Sequence, residues 1–103
     1  MLPRNRRPTP PGEILRYEFL EPLGLTQKAL AGALGVTRVR LSEIIRSKQA
    51  ITPDTALRLE RFFATTPEFW LGLQTDLNLW DTLKAHGAEY DKIKPGRTET
   101  MLA

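Results

Sequence analysis

The sequence predicts an all-α fold of five helices. Two observations carry this: apolar residues recur at helical spacing with no alternating strand pattern, and helix starts are marked by threonine, often followed by proline and an acid. With 103 residues, 41% hydrophobic and 26% charged, the chain suits one compact domain with a small core, which dimerisation would enlarge.

The elements follow in order. Residues 1–10, with three prolines and three arginines, read as an irregular basic arm. A first helix opens at Pro11-Gly12-Glu13, buries Ile14, Leu15, Phe19 and Leu20, and is expected to end at Pro22 and Gly24. Thr26 caps a second helix with an apolar side of Ala29, Leu30, Ala33 and Leu34, broken at Gly35. Thr37 caps a third, with Leu41, Ile44 and Ile45 inward. Thr52-Pro53-Asp54 starts a fourth helix and Thr66-Pro67-Glu68 a fifth, expected to reach about His86. At 100° per residue Phe69, Leu73, Leu77, Trp80 and Leu83 share one face of the last helix, with Trp70 and Leu79 at its edges. The domain is thus expected over 11–86, and 87–103 as a flexible tail.

The stretch QKALAGALGVTRVRLSEII, Gln27 to Ile45, meets each requirement of a helix-turn-helix. Two steeply crossing helices need a small residue at their contact, which Ala31 supplies, and a left-handed turn residue, which Gly35 supplies. Val36 plugs the corner, and Leu30, Leu34, Leu41 and Ile44 fill the space beneath. The outward residues suit DNA. The start of the second helix of such a motif meets base edges, which places Arg38, Val39, Arg40 and Glu43 there. An arginine can pair with guanine O6 and N7, and a glutamate can accept from cytosine; Val39 either touches a thymine methyl or is half core. Thr26, Gln27, Lys28, Thr37, Arg46, Ser47, Lys48, Gln49 and Thr52 are placed as phosphate contacts, at helix starts and in the turn after the third helix. Charge distribution agrees: residues 1–61 hold eleven Lys/Arg against six Asp/Glu, and residues 62–103 hold four against six.

An enzyme is not expected. The chain has one histidine, His86, no cysteine, no metal-spaced cluster and no glycine-rich phosphate loop, so neither cofactor nor metal is anticipated. Without cysteine there are no disulfides, and without a long apolar run no membrane span, which together favour the cytoplasm.

The segments PTPPGEILRYEFLEPLGLTQ, LAGALGVTRVRLSEII, ITPDTALRLERFF and TTPEFWLGLQ, spanning about Pro8 to Gln74, resemble the HigA-type antitoxins, or virulence-associated protein I family, within the phage-repressor-like helix-turn-helix superfamily. The resemblance implies a homodimer on palindromic double-stranded DNA that represses its own operon, and a toxin partner similar to the RelE-type mRNA nucleases. It places base contacts at Arg38, Val39, Arg40 and Glu43, with Gln27 on the preceding helix. Two positions depart from the pattern: Pro10 stands where many relatives have histidine, and Ala64 where many have glycine, so that a left-handed backbone there would be strained.

Phe69, Trp70, Leu73, Leu77 and Trp80 are the expected dimer contacts, setting two recognition helices ~34 Å apart; alternatively the aromatics complete the monomer core, as Phe69 and Leu73 are expected to do in part. For a basic toxin, Glu13, Glu18, Glu21, Glu68 and Asp76 are candidate contacts. The arm Met1–Pro10 either reaches a minor groove or makes no contact. A stand-alone repressor, and an antitoxin without DNA affinity, remain the competing functions; Arg38 and Arg40 weigh against the second.

Overall fold

The computed structural model describes residues 6–96. The first part of the arm, residues 1–5, and the end of the tail, residues 97–103, lie outside the described residues. Within them five helices form and no strand. The first helix has three consecutive stretches: α1 (Pro11–Ile14), a π-helical turn (Leu15–Leu20) and α2 (Glu21–Leu23). Then come α3 (Gln27–Leu34), α4 (Arg38–Ile45), α5 (Pro53–Phe63) and α6 (Pro67–Tyr90).

The π turn has a packing reason. Leu15 and Leu20 would stand about 140° apart on an α-helix at 3.6 residues per turn. The wider turn, in which the Glu21 N–H donates to the Arg16 carbonyl, leaves both leucines buried. Pro22 does not end the helix as expected. It lies in the last turn, the helix runs to Leu23, and Gly24 closes it at φ +63°.

Four threonines start the remaining helices. The Oγ1 of Thr26, Thr37, Thr52 and Thr66 accepts from the backbone N–H of Ala29, Arg40, Thr55 and Phe69, at 3.1, 3.1, 3.3 and 3.2 Å. Each cap satisfies a donor that the helix itself cannot, and contributes about 1 kcal/mol. Gly35 turns the chain between α3 and α4 at φ +72°. Ala64, closing α5, has φ +57°, so this chain carries the strain that a glycine would avoid.

The core joins Leu15, Leu20, Leu30, Ala31, Leu34, Leu41, Ile44, Ile45, Ile51, Ala56, Leu59 and Trp70. Trp70 sits at its base, fully buried, with its indole Nε1 donating to Thr65 Oγ1 at 2.7 Å and Phe19 packed 5.1 Å from its ring. The residues expected at a dimer face divide between core and surface, with Leu73 partly in the core as expected. Trp70 and Leu77 (5% exposed) are spent inside the chain, and Leu73 is half-buried against the core. The phase of α6 is set by the indole and its Thr65 acceptor, which turn Phe69 outward, 41% exposed. Trp80 is half-buried, and Leu79 and Leu83 are exposed.

Helix α6 also runs past His86, through Gly87, to Tyr90. One interior glycine costs about 1 kcal/mol against alanine, too little to stop a helix already propagating on both sides. No helix among the described residues is long and apolar enough to cross a membrane.

Candidate nucleic-acid interface

Helix α4 is held from three sides. Its inner face, Leu41, Ile44 and Ile45, is buried. Over its C-terminal end crosses the first helix at Gly12, where a Cβ would fall within contact distance of the Ile44 and Ile45 backbone carbonyls. Only a glycine permits that approach, so the first helix fixes where α4 ends.

From the third side, α5 braces α4 through charge. Arg40 Nη2 donates to Asp54 Oδ2 (3.1 Å) and to Thr55 Oγ1 (3.2 Å). Arg58 Nε donates to the same Asp54 oxygen (3.0 Å), and Arg58 Nη1 reaches the Leu34 carbonyl at the end of α3 (2.8 Å). Asp54 and Arg58 together therefore tie the two helices of the motif to α5, Asp54 holding α4 and Arg58 holding the end of α3. The hydrogen bond from Arg58, and then that from Arg40, holds the Asp54 carboxyl below the usual carboxylate range. Arg40 is thus placed differently from Arg38: in the chain alone its guanidinium turns to α5 and braces the recognition helix.

That face comprises Arg38, Val39, Ser42, Glu43 and Arg46, which line one shallow concavity. Arg38 and Arg46 are exposed, and Val39 is 70% exposed, so it is not core. Glu43 is half-buried, and its Oε1 accepts from Gln49 Nε2 at 2.9 Å, which pairs two of the expected contact residues with each other. The chain then turns through Ser47 at φ +62°, and the Lys48 and Gln49 N–H groups both donate to the Glu43 carbonyl (2.7 and 3.2 Å). This closed turn presents Arg46, Ser47, Lys48 and Gln49, all exposed. Among the described residues no ion pair engages Lys28, Arg38, Arg46 or Lys48, so their charges face solvent.

Thr26, Thr37 and Thr52 use Oγ1 in capping, and all three remain exposed. Gln27 is half-buried and Lys28 exposed at the start of α3. The structure thus gathers Arg38, Val39, Glu43 and the turn residues around one end of α4, and sets Arg40 apart.

Sequence reasoning missed four residues. Ser42 lies on the exposed face between Arg38 and Arg46, and the helical spacing of those two arginines points to it. Gly12 was noticed as a helix-start residue; its close approach to α4 has no local sign. Asp54 and Arg58 lie 14 and 24 residues from the groups they hold, Arg40 and the Leu34 carbonyl, and nothing near them in the sequence announces those pairings.

Comparison with known proteins agrees with this geometry. A helix-turn-helix family model matches residues 17–70. Antitoxin HigA-1 of Vibrio cholerae is 44% identical over 91 residues, covering 88% of this chain and 86% of that protein. Virulence-associated protein I of Dichelobacter nodosus is 52% identical over 69 residues, 67% of this chain and 64% of its own. Among solved structures, the Pseudomonas aeruginosa antitoxin HigA with the higBA promoter superposes with a TM-score of 0.82 at 40% identity, covering 86% of this chain and 98% of that one. The antitoxin GraA in complex with its operator gives 0.84 at 40% identity, covering 95% and 100%. The chain belongs to the helix-turn-helix family and, within it, to the HigA-type antitoxins.

Proposed function

We propose that this protein is a sequence-specific DNA-binding antitoxin. As a dimer it seats α4 of each copy in the major groove of a palindromic operator, represses its own operon in the cytoplasm, and neutralises a RelE-like mRNA-nuclease toxin. The observation that carries this reading is the outward face of α4: exposed arginines at each end, free of internal ion pairs among the described residues, on a helix braced from three sides. Base reading needs such rigidity, because a bidentate arginine contact tolerates little displacement. Two relatives of the same fold are solved with promoter or operator DNA.

In this reading Arg38 is the main base reader, with Val39, Ser42 and Glu43 beside it. Lys28, Arg46, Ser47, Lys48, Gln49 and the capped starts at Thr26, Gln27, Thr37 and Thr52 hold phosphates. The dimer forms through the apolar residues that α6 leaves outside the core, Phe69, Leu79, Trp80 and Leu83. For the toxin, Glu13, Glu18, Glu21 and Glu68 are exposed on the first helix and α6, and oppose a basic surface.

The test pairs two measurements. The chain should shift DNA from upstream of its own gene, but not an unrelated duplex, at a stated salt concentration, and sedimentation should give a dimer at micromolar concentration. Co-expression with the adjacent small basic reading frame should relieve growth arrest. A chain with no preference for its own upstream DNA overturns the repressor reading. A stand-alone regulator is the second reading, favoured by a Haemophilus influenzae relative, 51% identical over 77 residues, described as an uncharacterised helix-turn-helix transcriptional regulator. Absence of a toxin frame beside the gene would select it.

A further inference from the structure

Arg46 borders two concavities. On one side lies the α4 face with Arg38 and Ser42. On the other lies a groove between the arm, the first helix and the end of α4, lined by Arg7, Glu13, Arg16, Tyr17, Arg46 and Ser47. Three guanidinium groups line it beside the Glu13 carboxylate; Arg7 and Arg16 are ion-paired to Asp81 and Glu21 at its edge, and Arg46 has no ion-pair partner among the described residues. The three arginines come from three parts of the chain, so the cluster is made by folding and not by a local charge run.

Two of the three arginines are oriented by partners. Arg7 is pinned by Asp81, with Nε to Oδ1 at 2.8 Å and Nη2 to Oδ2 at 2.9 Å, which fixes the end of the arm against α6. Arg16 lies over its neighbour's ring, 5.1 Å from the Tyr17 centroid, and 3.5 Å from Glu21. Its side chain is nonetheless 51% exposed, so its fork is open to a ligand. Arg46 is exposed, with no ion-pair partner among the described residues.

We infer that this groove takes a backbone phosphate of the DNA seated on α4, so that the first helix contributes to the interface through Arg16 and Tyr17. The inference rests on the DNA-binding reading above. A helix lying in a major groove about 12 Å wide has phosphate strands on both sides of it, and the arginine groove lies at the C-terminal end of α4, beside Ile45 and Arg46. Guanidinium forks match phosphate oxygens, and a tyrosine hydroxyl can donate to them. Continuity with the recognition face through Arg46 selects DNA over an acidic protein surface.

The test compares the full chain with Arg16→Ala and Tyr17→Phe, both at exposed positions, on the upstream DNA and on an unrelated duplex over a range of salt concentrations. Arg16→Ala should weaken both duplexes by a similar factor, about three- to tenfold, and make the slope of log affinity against log salt shallower by about 0.9. Tyr17→Phe should cost both duplexes a smaller, equal factor with the slope unchanged. An unchanged slope in Arg16→Ala overturns the inference, as does a loss confined to the upstream DNA. So does a loss that tracks dissociation of the dimer in sedimentation, which would assign the groove to a second copy. These outcomes differ from failure of the function itself, in which the unaltered chain shows no preference for its own upstream DNA.

Discussion

Helix α4 and the outer half of α6 are opposites. The first is eight residues long and held by buried leucine and isoleucines, by the first helix at Gly12, and by the Arg40–Asp54–Arg58 brace. The second continues about three and a half turns beyond Leu77, with Leu79, Leu83 and Tyr90 exposed and the Arg7–Asp81 pair as a tie to the body. Rigidity has gone to the helix placed to read, where a small displacement would cost specificity. The longer helix is left with apolar surface that burial against a partner would stabilise.

Several changes would break or sharpen this contrast. Gly12→Ala should do most damage, about 3 kcal/mol of stability in urea unfolding, because the added methyl meets backbone carbonyls that cannot rotate away. A smaller loss would mean that α4 can shift, and that its bracing is less strict than the contact implies. Leu77→Ala should cost about 2.5 kcal/mol and Leu83→Ala less than about 0.5 kcal/mol in dilute protein, since the first empties core and the second trims exposed surface. If Leu83→Ala matches Leu77→Ala only at high protein concentration, the outer half of α6 is an interface.

On the reading side, Arg38→Ala should cost about 2 kcal/mol of operator affinity and relax specificity at one base position, measured by competition with base-substituted duplexes. Ala64→Gly should stabilise by about 0.5–1 kcal/mol, read as a raised melting temperature, since it removes left-handed strain at the α5–α6 joint.

Acid gives the smallest effect. Hydrogen bonds from Arg7 hold the Asp81 carboxyl below its usual range, as those from Arg58 and Arg40 hold Asp54. A lowered carboxylate contributes stability that is complete above its unfolded value of about 3.9 and is lost as pH falls through the lowered folded value. Stability from these pairs should therefore be flat between pH 5 and 8 and decline in stronger acid. Asp81→Asn should remove part of that decline in denaturant melts at successive pH values.

What the sequence revealed, and what it concealed, follows the range of the forces involved. The four threonine caps, the Gly35 turn and the leucines beneath the motif were legible because each depends on residues within a turn or two. Periodicity put Phe69 on the apolar face of the last helix and Trp70 at its edge, and the structure reverses them, because the stripe is wide and its phase does not say which part of it meets the core. Thr65, by accepting the indole N–H, decides it. Arg40 was placed with the base readers because it shares the first turn with Arg38. The residue that turns it aside, Asp54, is 14 positions away across a loop. The π turn was hidden for a related reason: it arises from burying Leu15 and Leu20 together, a demand of the core and not of the local sequence.

The threonine caps have a consequence for how the chain folds. Every helix after the first carries its own start signal, satisfied within three residues, and the α3–α4 turn closes on itself through the Val36 N–H and the Ala31 carbonyl at 3.1 Å. Few distant segments must meet before such units form, so the loop-closure entropy that slows sheet proteins is small. The chain is therefore expected to fold fast, with the turn that joins α3 to α4 closed by contacts near in sequence before α5 and the first helix brace the pair.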